Sequence, residues 1–416
     1  MLTVGDAQSR ILRTVQRMDE EVVPLEAAYG RVLAREICSP LDVPPWDNSA
    51  MDGYAVHASD TSSAGVRLRI NETIGAGDVG TVVVASGTAS AIMTGAPMPE
   101  GADAVVMVEW TDAARSGEVH ITGVAAPGLN IRRRGGDVTR GEVVLRAGQT
   151  LTPGQVGLLA SLGMPTVAVR RRPVVALLST GDEVVPPGEP LGPGQIYASN
   201  SFALAGLVRE AGGIPRDMGN APDALAGLTA KLEACLDADI VVTTGGVSVG
   251  VYDYVKEAYA ALGAHMDFWK VKMKPGKPLA FGRLDRGGRE VPLFGLPGNP
   301  VSCMVNFLEF VRPYLRTALG DPAPFLPVVD AVAGEDFRGR PGRLRLIRVR
   351  LAVMDGRWVA TSTGTQSSGA LQSMARAHGL MSLPEDAEAP RAGAAVRVQL
   401  LDAGFLDGVS AALAPE

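Results

Sequence analysis

The stretch VPLFGLPGNPVSCMVNFLEFV, Val291 to Val311, fixes the kind of fold. Its first half is a short apolar run, as a buried strand would be. Its second half is a long apolar run at helical spacing. Between them Gly295, Pro297, Gly298 and Pro300 build a bare, stiff turn. A buried strand that passes through a tight turn into a helix is one repeat of an α/β layer.

Working back along the chain, the same rhythm recurs. PVVALLSTGDE (173–183) reads as strand and loop, SNSFALAGLVREAGG (199–213) as a capped helix ending in glycine, and ALAGLTAKLEACLD (224–237) as a further helix. ADIVVTTGGVSVG (238–250) is strand and loop, and VYDYVKEAYAALG (251–263) is helical. Alternating units of this kind predict a mostly parallel sheet with helices on both faces.

The flanks differ. Thr3 and Asp6 have capping-box spacing, and Val4, Ala7, Ile11, Val15 and Met18 recur at helical spacing, so the chain opens with an amphipathic helix. A second helix is expected over Leu25 to Ala34. LTPGQVGLLASLGM (151–164) predicts a helix with Thr152 as N-cap, Pro153 at the first position and Gly163 at the end. Between these pieces VRLRINETI, GTVVVASGTA, ADAVVMVEW and GEVHITG are β-rich runs separated by turns. After the proline-rich GDPAPFLP (320–327), RLRLIRVRLAVM, RWVATST and AAVRVQLL are strands with little helix. The expected plan is a multi-domain α/β and β protein. A discontinuous helical domain spans 1–42 and 144–171, an inserted β domain 43–143, a three-layer α/β domain 172–322 and a C-terminal β-barrel-like domain 323–405.

The totals agree with several domains: 416 residues exceed one ordinary core. Hydrophobic residues are 46% and charged residues 20%, a globular balance. A net charge of −6 gives no basic face for nucleic acid. Basic runs such as IRRRGGD and GRPGRLRLIRVRL read as solvated faces. Three cysteines in unrelated contexts form no disulfide framework or zinc spacing. MLTVGDAQSRIL lacks a signal-peptide pattern and no apolar run is long enough to span a bilayer, so cytoplasm is the expectation.

Ligands of such sheets bind beyond the carboxyl ends of the strands. Three small-residue loops leave such ends: STGDE, TTGGVSVG and GLPGNPVS. Glycine lets backbone N–H groups turn outward, and a helix start adds partial positive charge, so these loops suit an oxyanion or phosphate. Lys270, Lys272, Lys274 and Lys277 cluster in FWKVKMKPGKP; the first three alternate as they would along one face of a strand. Asp52, Asp137, Asp182, Glu183 and Asp253 sit in turns, where carboxylates beside phosphate loops can hold Mg²⁺. No nucleotide P-loop, Ser-His-Asp set or Cys-His pair is present in the spacing. The residues by themselves describe a protein that binds an anionic, phosphorylated small ligand.

In order along the chain, DVPPWDNSAMDGYAV, IMTGAPMPEGADAVVMVE, NIRRRGGDV, STGDE, TTGGVSVG, KPGKPLAFG and GLPGNPVS resemble the motifs of the MoeA family, to which the gephyrin E domain is related. The resemblance covers nearly the whole chain. It implies a molybdopterin molybdenumtransferase of molybdenum cofactor biosynthesis. Adenylylated molybdopterin and molybdate are the implied substrates, and AMP leaves in a Mg²⁺-dependent step. By matching position, Asp52, Thr94, Asp137, Glu183 and Asp253 are the implied catalytic residues. Asp223, the Gly245–Gly246–Ser248 loop, Lys270, Lys274, Lys277, Pro297, Gly298, Asn299, Pro300, Ser302, Arg348 and Ser368 are implied to bind substrate. Asp52, Glu183 and Asp253 would hold Mg²⁺ or hydrogen-bond the pterin. The resemblance also implies a homodimer with a site shared between subunits, and work alongside a molybdopterin adenylyltransferase and downstream cofactor-maturation proteins. A scaffold without turnover, or another pterin or nucleotide enzyme with the same α/β domain, are the competing readings.

Overall fold

The computed structural model describes residues 1–115, 117–246 and 254–401. Its centre is a six-stranded sheet in the order Ile214–Ala221, Val174–Thr180, Ile240–Thr244, Arg289–Leu296, Pro278–Arg286, His265–Lys270. The first four strands are mutually parallel; Pro278–Arg286 runs antiparallel to them, and His265–Lys270 pairs antiparallel with it. Side-chain alternation explains its two-sided burial. Val175, Leu177, Val242, Phe294 and Leu296 face one helix layer, with Leu204, Val208, Val305 and Leu315. Ala176, Leu178, Val241 and Leu293 face the other, with Leu228, Leu232, Val255 and Tyr259.

The opening stretch of sequence behaves as read. Arg289–Leu296 is a central strand, and a helix starts at Pro300 with proline in its first turn. That helix runs to Ala318 through a five-residue π turn, Phe307–Val311.

The C-terminal part is a closed five-stranded barrel. Leu344–Met354 pairs with both Arg357–Ser362 and Gly379–Leu383, and Val328–Ala333 and Ala395–Leu400 complete the ring. Ile347, Val349 and Leu351 fill it, while Leu346 and Leu380 point outward into the core of the α/β layer. Within 53–121 a second six-stranded sheet runs Ala104–Met107, Gly53–Val56, Thr88–Ile92, Val66–Ile74, Glu118–Ile121, Thr111–Arg115. Gly53 is required there: a Cβ would lie 2.0 Å from the Val106 carbonyl oxygen of the adjoining strand. Among the described residues no helix is long and apolar enough to cross a membrane.

Four local expectations are corrected. Leu25–Ala34 is no helix: only Leu25–Ala27 makes a 3₁₀ turn, and Gly30 at φ 71° ends it. Arg31, Leu33 and Ala34 then bond to the carbonyl or amide groups of residues 149–170, which satisfies the backbone across the fold. In GTVVVASGTA the strand begins only at Thr88. The Glu72 carboxylate takes the N–H groups of Thr81 and Val82, so that segment is tied as a loop. The Ser199–Glu210 helix has no side-chain N-cap. Finally, Lys270, Lys272 and Lys274 do not share one strand. The chain leaves the central sheet after Lys270, and Met273–Lys274 pairs with Leu344–Arg345 of the barrel. Lys272 is engaged by Glu385 at 2.8 Å.

Candidate functional site

The three loops picked out in the sequence leave adjacent parallel strands at the same edge, because Val174–Thr180, Ile240–Thr244 and Arg289–Leu296 are neighbours in register. They wall a cavity of about 540 Å³. Glu183, Asp223, Gly245, Gly246, Pro297, Gly298, Asn299, Pro300 and Ser302 all line it. Ser248 and Asp253 lie outside the described residues.

The cavity floor is held open by glycine. Gly245 has φ 90°, and a Cβ there would stand 2.6 Å from Thr180 Oγ1. Any side chain would force the second loop off the first. The first turn of the Pro300 helix lines the cavity through Pro300 and Ser302. The N–H of Val301, between them, is engaged at 3.0 Å by the carbonyl of Ser368 from the C-terminal part.

The rim opposite is acidic. Asp223 N–H donates to Asp182 Oδ1 at 3.2 Å. Its carboxyl pKa is raised by desolvation first, and further by the charges of Asp182 and Glu183. Carboxylates that repel one another next to an anion loop have the chemistry of a Mg²⁺ and phosphate site, since Mg²⁺ uses one or two carboxylates plus substrate oxygens. Among the described residues there is no cluster of three metal-ligating side chains.

Asn200 is a cavity residue that sequence reasoning missed. SNS reads as a helix cap, but Asn200 Nδ2 donates across to the Gly298 carbonyl at 2.8 Å and so fixes the PGN turn. Its Oδ1 is buried with no protein partner. The signal was visible as an asparagine at the start of a helix, but its use depends on a loop about a hundred residues away.

Lys270 and Lys277 are exposed beside the cavity, not in its wall: Lys277 precedes the lining residue Pro278, and Lys270 pairs with Pro278 across the sheet; Lys274 is exposed on the short strand against the barrel. Arg348 is fully buried on the barrel strand. It donates to Ser373 Oγ at 2.7 Å and to the carbonyls of Thr365 and Ser367 at 3.1 Å. Its Nη1 is buried without a partner, and burial pushes its pKa down to about 10. Arg348 thus stiffens the loop that carries Ser368.

The remaining candidates stand elsewhere. Asp52 and Thr94 are exposed and bonded to each other. Asp137 is exposed, with its N–H on the Val43 carbonyl at 2.9 Å. The arginines before it are engaged by acids, Arg133 with Asp47 and Arg134 with Asp42, each at 2.6 Å. Among the described residues none that lines the cavity comes from the 53–121 sheet or its loops. One chain therefore forms two separate sets of candidate residues.

Three family models match the chain in succession. The model for the MoeA N-terminal region (domain I and II) matches residues 2–163, the one described as "Probable molybdopterin binding domain" matches 176–317, and the one for the MoeA C-terminal region (domain IV) matches 330–401. Molybdopterin molybdenumtransferase 2 of Mycobacterium tuberculosis is 41% identical over 96% of this chain and 99% of its own length. Molybdopterin molybdenumtransferase of Bacillus subtilis is 36% identical over 96% of this chain and 94% of its own. The crystal structure of a molybdopterin biosynthesis moeA protein from Pyrococcus horikoshii superposes with a TM-score of 0.81 at 32% identity, covering 96% of this chain and all of that one.

Proposed function

The chain belongs to the MoeA family of molybdopterin molybdenumtransferases, and we propose that it inserts molybdenum from molybdate into adenylylated molybdopterin, with Mg²⁺-dependent release of AMP. The observation that carries this reading is the cavity at the carboxyl ends of three parallel strands, with bare glycine loops and a helix start on one side and carboxylates on the other. A ligand with a pyrophosphate link fits such a wall: the amides of Gly246, Gly298 and Asn299 receive oxyanions, and Lys270 and Lys274 add charge at the mouth.

Glu183 and Asp253 would hold Mg²⁺, joined by Asp52 of a second chain, or else hydrogen-bond the pterin. When bound, Mg²⁺ neutralises phosphate charge as the anhydride breaks. Thr94 and Asp137 contact ligand beside Asp52. Arg348 and Ser368 shape the molybdate side of the cavity, next to the Val301 amide. The protein acts by positioning and charge stabilisation, without a nucleophile of its own.

The separation of the two residue sets supports a homodimer in which Asp52, Thr94 and Asp137 of one chain face the cavity of the other. Met93 and Val108, next to the Asp52–Thr94 pair, are 42% and 50% exposed, as residues awaiting a protein surface are. The expected setting is the cytoplasm, downstream of a molybdopterin adenylyltransferase and upstream of cofactor-maturation proteins.

The test is turnover. Purified protein is mixed with adenylylated molybdopterin, molybdate and Mg²⁺, and AMP and active cofactor are followed. Molybdate-dependent AMP release together with active cofactor is the expected result. Tight binding without turnover would replace the transferase by a scaffold.

A further inference from the structure

The helix whose first turn walls the cavity carries, nine residues on, a carboxyl that the reaction does not use. Glu309 is 4% exposed and sits in the π turn Phe307–Val311. Side chains from two other parts of the molecule converge on it. Gln8 Nε2, from the first helix, donates to Glu309 Oε2 at 3.2 Å and to its backbone carbonyl at 3.1 Å. Gln399, from the last barrel strand, hydrogen-bonds the same carboxyl. Gln399 Oε1 is buried with no partner.

Among the described residues no cation balances this group. Asp6 and Arg10 of the first helix are exposed, as is Arg397 of the barrel strand. Arg209 and Glu210, at the end of the Ser199–Glu210 helix, are exposed too, and Glu210 acts on Arg312. Arg312 itself donates to the Pro324 carbonyl. Burial therefore dominates and pushes the Glu309 carboxyl up to about 7, against two amide hydrogen bonds that lower it. The neutral acid has what the anion lacks: an O–H that can donate to the orphaned Oε1 of Gln399.

We propose that Glu309 is a protonation-sensitive clamp that fastens the first helix and the C-terminal barrel to the cavity helix. It is closed while the carboxyl carries its proton and loosened when the carboxyl ionises. The barrel end of the clamp matters to the cavity, because the same barrel lays Ser368 on the Val301 amide. Loosening would free that wall.

The sign follows from the raised value. A carboxyl at about 7 in the closed state and at its ordinary 4.5 when exposed holds more protons closed than open. Its stabilisation is complete below 4.5 and is lost as pH rises through about 7.

Hydrogen exchange of the full-length protein, without substrate and corrected for intrinsic rate, reads this directly. In the wild type the protection of Val4–Leu12 and Ala395–Leu400 should fall on the order of fiftyfold between about pH 5 and pH 8. In Glu309→Gln, which is neutral throughout, both segments should show little pH dependence. Equal pH dependence in the two proteins, or none in the wild type, overturns the clamp. Should Glu309→Gln fail to fold, Glu309→Met, which also has no titrating group, serves in its place. Loss of the pH-dependent part in Ala395–Leu400 supports the proposal, and its persistence overturns it. Because no turnover is measured, the result stands apart from the transferase reading.

Discussion

One oxygen of Asp52, Oδ1, accepts both the Thr94 N–H at 2.6 Å and the Thr94 hydroxyl at 2.8 Å. The two residues are 42 positions apart, and each comes from a family motif. Concentrating both bonds on Oδ1 fixes the carboxylate plane and turns Oδ2 to the outside, as a ligand or metal contact requires. The backbone bond is the main cause of the lowered Asp52 pKa. That contribution is present above the ordinary 3.8 and lost as pH falls through the lowered value. Thr94→Val removes one bond and leaves the other. Turnover should fall by about 10²-fold with thermal stability nearly unchanged, in line with the loss of one preorganised polar contact. Melting curves beside AMP-release kinetics check this, and wild-type kinetics would remove Thr94 from the site.

Two dead chains should make a live enzyme. Asp52→Ala lacks the outer set and Glu183→Gln lacks the cavity set. If the site is shared, a mixed dimer keeps one intact site of its two. Co-expressed or exchanged variants should regain up to about a quarter of wild-type activity, as random pairing of a symmetric dimer allows. No regain in a dimer shown to be mixed would place both sets in service of a single chain.

Neighbouring lysines should differ in kind. Lys272 pairs with Glu385 across half-exposed surface, so Lys272→Ala should cost less than about 1 kcal/mol and leave turnover close to wild type. Lys274 is exposed with no acid engaged in the described hydrogen bonds or ion pairs. Lys274→Ala should keep its fold and lose about 10²-fold in kcat/KM, more steeply at low molybdate. Denaturant melts and steady-state kinetics on the pair distinguish the roles.

Glycines of adjoining loops should part company as well. Gly245→Ala meets Thr180 Oγ1 at 2.6 Å at a positive φ, and should cost about 2 kcal/mol or more. At Gly298 a Cβ would stand 3.7 Å from the nearest heavy atom, Cα of Gly245, which is ordinary contact. Gly298→Ala should fold normally and raise KM, because the methyl narrows the cavity rather than the core. Urea midpoints and KM values provide the comparison.

The acidic rim predicts a metal response. Asp223 is raised by desolvation and by its acidic neighbours, so its ionisation opposes the fold as pH rises above its ordinary 3.8. A divalent cation at the rim relieves that repulsion. Mg²⁺ should raise the melting temperature at neutral pH in the wild type, and the rise should shrink in Asp223→Asn and Glu183→Gln. An identical rise in all three would put the ion elsewhere.

Much of this is legible in the sequence. The unbroken apolar runs within Val174–Thr180 and Ile240–Thr244, the Pro300 helix start and the three loops are local patterns, and local patterns encode elements. Their meeting at one edge follows from parallel pairing, which alternating strands and helices impose. Leu25–Ala34 and the lysine run were misread because their partners lie far off in sequence. Leu25–Ala34 has helical spacing but is pulled straight by residues 149–170.

From its residues alone the chain set its α/β layer, the loops that wall the cavity and the family it belongs to. Those depend on short-range pattern and on motifs in fixed order. Packing decided the rest. It separated Asp52 from Glu183 within one chain, turned Asn200 from a cap into a brace for Gly298, took Lys272 for Glu385, and buried Glu309 between Gln8 and Gln399. Each of these is a contact between segments tens to hundreds of residues apart. Burial and hydrogen-bond satisfaction choose such partners only once the core has closed.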